Sequence, residues 1–101
     1  MSTPTVDIPG DVLAEFCRRW KITEFSLFGS AARGEATSSS DVDVLVQFAA
    51  EAPWSTFHLV HMQDELRRLI GRDVDLVEES AIRNPFRRRS ILRDKRVLYA
   101  A

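Results

Sequence analysis

At 101 residues the chain is expected to form one small domain, residues 1–101, with a single core. Its 45% hydrophobic and 29% charged residues, with no apolar run as long as a bilayer span, exclude a disordered chain and a helical membrane protein. The net charge of −1 hides a segregation: residues 1–82 hold 7 basic and 14 acidic side chains, and residues 83–101 hold 7 basic and one acidic. The basic tail is therefore either a surface for phosphates or an acidic partner, or a solvated helix face.

The opening MSTPTVDIPG has neither the basic start nor the apolar stretch of a signal peptide, so a cytoplasmic location is expected. Pro9, Gly10 and Asp11 open a helix that runs to about Trp20. Cys17, the sole cysteine, falls in its apolar stripe with Val12, Leu13, Phe16 and Trp20, which predicts core packing and no disulfide. A short strand follows over Glu24 to Phe28, stopped by Gly29, then one helical turn over Ser30 to Arg33 and a polar loop over Gly34 to Ser40.

Asp41 to Phe48 alternates as a strand, with Val42, Val44 and Val46 on one face and Asp41, Asp43 and Leu45 on the other. A helix is predicted from Ser55 to Ile70, burying Leu59, Met62, Leu66, Leu69 and Ile70 and ending at Gly71. Trp54 and Phe57 are not needed by that stripe and serve either a partner surface or the cover of the sheet end. His58 and His61 sit near one turn apart but lack a third soft ligand, which favours surface or boundary positions over a metal site.

Asp73 to Val77 reads as a third strand, Asn84 and Pro85 start a last helix to about Arg93, and Val97 to Tyr99 adds an edge strand. Strand, helix and strand in succession favour a parallel, right-handed crossover between the second and third strands. The expected fold class is α/β in a two-layer α+β form, a small mixed sheet backed by helices.

Asp41 and Asp43 lie two apart on one strand face, where two ionised carboxylates repel and resist burial without a positive partner. A hard cation such as Mg²⁺ takes one or two carboxylates plus phosphate oxygens, and Asp75 on the next strand is placed to supply a third. Gly29 lets backbone amides approach an anion, and Ser30 adds a hydroxyl donor at the start of a helical turn. One end of the sheet would then hold a triphosphate and its metals.

The run GSAARGEATSSSDVDVLV, with Gly29-Ser30 ten residues ahead of Asp41-Val42-Asp43, resembles the signature of the DNA polymerase β-like nucleotidyltransferases. It is most similar to their minimal branch, the MNT proteins, over nearly the whole chain. The resemblance implies that Gly29 and Ser30 hold the β- and γ-phosphates of ATP, and that Asp41 and Asp43 ligate two Mg²⁺ ions. By the same resemblance Asp75 is the third carboxylate, which helps bind the catalytic ion and activates the acceptor hydroxyl, with Asp73 as its rival, and Arg33 touches nucleotide or braces the loop.

Stand-alone chains of this size resemble the MNT half of HEPN-MNT pairs. That resemblance implies an antitoxin that transfers AMP from ATP to a tyrosine of a HEPN ribonuclease toxin, in a hetero-oligomer with no membrane and no direct nucleic-acid contact. The alternatives are a non-catalytic module that neutralises its partner by contact, or the catalytic subunit of a small-molecule or RNA nucleotidyltransferase. Arg83, Arg87, Arg88, Arg89 and Arg93 either steer a nucleotide or acidic partner to the site or form a solvated face.

Overall fold

The computed structural model describes residues 8–32 and 41–101, and the side chains of Ser30 and Ala31 fall outside that description. The described elements are α1 (Gly10–Arg19), β1 (Ile22–Phe28), α2 (Gly29–Ala32), β2 (Val42–Phe48), α3 (Thr56–Ile70), β3 (Val74–Glu78), α4 (Pro85–Asp94) and β4 (Arg96–Ala100). A 3₁₀ turn over Glu79–Ala81 follows β3. The strands form one mixed sheet in the order β3-β2-β1-β4. β2 and β3 are parallel, as the intervening α3 requires, and the other neighbours are antiparallel.

Strand alternation sorts the side chains between two layers. Phe25, Leu27, Val42, Val44 and Val46 share one face, and α1 and α3 cover it with Leu13, Phe16, Cys17, Met62 and Leu66. Phe16 and Phe25 are fully buried and meet edge to face at 6.5 Å. Burial of each such ring is worth about 2–3 kcal/mol in transfer free energy. The opposite face carries Phe28 and Leu45, which pack on Ile82 and on Ile91 of α4.

Helix ends follow their sequence signals. The Asn84 side chain accepts the Phe86 and Arg87 backbone N–H groups, and Pro85 fills the first position of α4, where its missing N–H costs nothing. Gly71 closes α3 in the left-handed conformation (φ 78°), donating its N–H to the Arg67 carbonyl at 2.8 Å.

Some expectations change. Leu69 is 37% exposed and takes no part in the core, because the buried stripe of α3 runs through Met62 and Leu66 with Leu59 and Ile70 at its margins. Trp54 is a packing residue: its ring meets Trp20 at 5.1 Å and its Nε1–H donates to the Trp20 carbonyl. Phe57, in contrast, is 80% exposed.

Candidate active site

The topology brings the sequence-predicted carboxylates to one end of the sheet. Because β1 and β2 are antiparallel, the end of β1 meets the start of β2, and Phe28 pairs with Asp43. Because β2 and β3 are parallel, Asp43 is the register partner of Asp75. Register partners on adjacent strands project from the same face, about 5 Å apart at the backbone. Asp41 lies two residues earlier, exposed, immediately before β2 begins.

Gly29 follows β1 directly and adopts φ 66°, a left-handed conformation that side chains rarely take. A β-carbon there would lie 2.4 Å from Asp43 Oδ2. The glycine therefore does two things: it permits the turn into α2 and leaves the Asp43 carboxylate its place against the backbone. Ser30 continues α2 in its backbone, while its side chain and the whole of Arg33 lie outside the described residues.

Asp73 and Asp75 have different surroundings. Asp73 precedes β3, its carboxylate is 3.0 Å from Arg67 Nη2 in an ion pair, and its carbonyl accepts the Val42 N–H. Asp75 is exposed on β3 beside Asp43, and among the described residues it forms no ion pair. The neighbouring Leu76 N–H donates to Gln63 Oε1 of α3 at 3.1 Å. Sequence reasoning misses this tie to the edge strand, whose only signal is a glutamine inside the inward stripe between Leu59 and Leu66.

The chemistry of this donor set is all oxygen. Two ionised carboxylates a strand spacing apart repel by about 1–3 kcal/mol at effective dielectrics between water and protein surface. A divalent cation turns that repulsion into attraction. Among the described residues no group of three or more Asp, Glu, His or Cys side chains closes into a metal cage. The set suits Mg²⁺, which binds through one or two carboxylates and keeps positions for substrate phosphate oxygens.

Of the other candidates, His58, Cys17 and Arg88 have structural roles. His58 Nδ1 accepts the Ser55 N–H at 3.0 Å at the start of α3 and packs on Trp54, while His61 is exposed. Burial pushes the Cys17 thiol up to about 12, which leaves it inert at neutral pH. Of the tail arginines, Arg88 is partly buried and binds both the Glu79 carbonyl and its carboxylate, to which the Gln47 amide also donates. Arg83, Arg87, Arg89 and Arg93 are exposed.

The sequence pattern of the nucleotidyltransferase domain family matches residues 11–98. A proposed protein adenylyltransferase of Methanocaldococcus jannaschii is 40% identical over 76 residues, 75% of this chain and 76% of that protein. The protein adenylyltransferase MntA of Thermococcus cleftensis is 40% identical over 70 residues, covering 69% of each chain. Among solved structures, a toxin–antitoxin complex with AMP-PNP contains a chain of the same fold, with TM-score 0.75 and 20% identity over 93% of this chain and 75% of that one. With the Gly-Ser turn and the strand-borne aspartates at one sheet end, this chain belongs to the nucleotidyltransferase domain family and is a nucleotidyltransferase.

Proposed function

We propose that this protein is a Mg²⁺-dependent adenylyltransferase that moves AMP from ATP to a hydroxyl, a tyrosine, of a HEPN ribonuclease toxin, acting as its antitoxin. The observation that carries the reading is the pairing of Asp43 with Asp75 beside the left-handed Gly29. The names of the relatives support adenylyl transfer to protein, and the AMP-PNP bound in the similar toxin–antitoxin complex supports an adenine nucleotide.

In this reading Gly29 and Ser30 hold the β- and γ-phosphates, and the absent β-carbon of Gly29 keeps the turn against Asp43. Asp41, Asp43 and Asp75 would hold two Mg²⁺ ions, which supply charge neutralisation of the triphosphate and of the entering and leaving oxygens. Asp75 takes the proton of the acceptor hydroxyl as its oxygen bonds to the α-phosphorus. The bond from that phosphorus to the β-bridging oxygen breaks, and pyrophosphate leaves with the electron pair. Arg67 holds Asp73 away from this role.

The test uses the protein with its co-expressed partner and ATP labelled at either the α- or the γ-phosphate. Label from the α position alone should appear on the partner protein and disappear in Asp43→Asn. Label on a small molecule or an RNA end, or neutralisation of the partner without any label, contradicts the proposal.

A further inference from the structure

We infer that the outer face of α4 is the docking surface for an acidic segment of the protein that accepts the nucleotidyl group, an inference that rests on the adenylyltransferase reading above. α4 lies on the same sheet face as Asp43, packing through Ile91 on Phe28 and Leu45 and flanking α2. A segment bound on its outer side is separated from the Gly29 turn by the thickness of one helix, about 10 Å.

The helix divides cleanly. Ile91 is buried, and Arg88 and Leu92 are partly so, whereas Phe86, Arg89 and Arg93, spaced three and four residues apart, form an exposed stripe. Phe86 is 78% exposed, an aromatic ring presented to water. An open groove of about 520 Å³ lies beside Arg89 and Arg93, lined also by Pro85, Arg88 and Leu92. Arg88 is committed to Glu79, and Arg93 shares its charge with Asp94 at 3.1 Å. Arg83, Arg87 and Arg89 form no ion pair among the described residues.

The occupant follows from charge and size. The cationic surface is one helix of ten residues, about 15 Å long, set on a body whose residues 1–82 hold 14 acidic against 7 basic side chains. An extended nucleic acid would run off this face onto like charge. A short acidic peptide segment ends within it, and an aromatic ring with flanking arginines is the combination that anchors protein interfaces.

Binding is measured without nucleotide, so its outcome is independent of catalysis. The probe is fluorescent poly(Glu,Tyr) copolymer at physiological salt, with poly(Lys,Tyr) and oligo(U) RNA in parallel. The native chain should bind the acidic copolymer in preference to both. Arg89→Ser/Arg93→Ser should weaken that binding at least tenfold, Phe86→Ser should weaken it severalfold, and Asp41→Asn/Asp43→Asn should not weaken it. Circular dichroism confirms that each variant is folded, as expected for exposed positions. Absence of copolymer binding, binding that the arginine pair does not affect, or tighter binding of oligo(U) lost in the same variant each overturns the inference. Absence of α-label transfer by the native chain, with its copolymer binding intact, would instead count against the adenylyltransferase reading alone.

Discussion

A β-carbon on Gly29 would stand 2.4 Å from Oδ2 of Asp43, so the turn after β1 and the first strand carboxylate are fitted to each other. Gly29→Ala must either push that carboxylate aside or abandon φ 66°. Transfer should fall at least tenfold, with a stability loss of about 1–2 kcal/mol from the left-handed backbone. Gly71 is the control, since it is equally left-handed (φ 78°) but a methyl group added there would meet nothing within 4 Å. Gly71→Ala should cost about 1 kcal/mol in a denaturant melt and leave transfer unchanged.

Glu65 on α3 joins two helices. Its carboxylate accepts from Arg19 Nη1 at 2.9 Å and Nη2 at 2.6 Å, and from Trp20 Nε1–H at 3.1 Å. The Arg19 hydrogen bonds are the chief cause that holds the Glu65 carboxyl below its ordinary value of 4.5. A lowered folded-state value means stability that is fully present above the unfolded value and lost as pH falls through the folded one. Glu65→Gln should therefore destabilise by about 0.5–1 kcal/mol at pH 7, a modest figure because Arg19 is half exposed. The difference from the native chain should vanish in melts run well below pH 4.5.

Cys17 is fully buried and its thiol is raised to about 12. A disulfide reagent at pH 8 should react with the native protein only as fast as the chain opens. Reaction should become rapid once denaturant unfolds the chain. Rapid stoichiometric labelling under native conditions would show that α1 does not seal against β1 and β2.

Much of this is legible in the sequence because the deciding signals are local. Alternation puts Val42, Val44 and Val46 on the face opposite Asp43 and Leu45, and the two hydrophobic layers follow that division. Asn84-Pro85 and Gly71 mark helix ends by their own backbone chemistry. The parts that are not legible depend on register and on distance in sequence. That Asp75 and not Asp73 faces Asp43 is fixed by the β2–β3 register and by Arg67, which claims Asp73 from the preceding helix. Leu69 departs from its expected burial because α3 covers the sheet with a stripe narrower than its apolar content. Glu79 carries no sequence signal as a buried residue, since its partners Arg88 and Gln47 come from α4 and β2.

The most direct test of the central claim compares Asp75→Asn with Asp73→Asn in transfer of α-labelled AMP to the co-purified partner. Both changes remove one exposed carboxylate and little volume, so both variants should remain folded. The pairing of Asp43 with Asp75 predicts that Asp75→Asn loses transfer by about a hundredfold or more, an order expected for a proton-accepting group. Asp73→Asn should keep transfer within a few-fold of native. Full transfer by Asp75→Asn, or its loss in Asp73→Asn alone, would contradict the account.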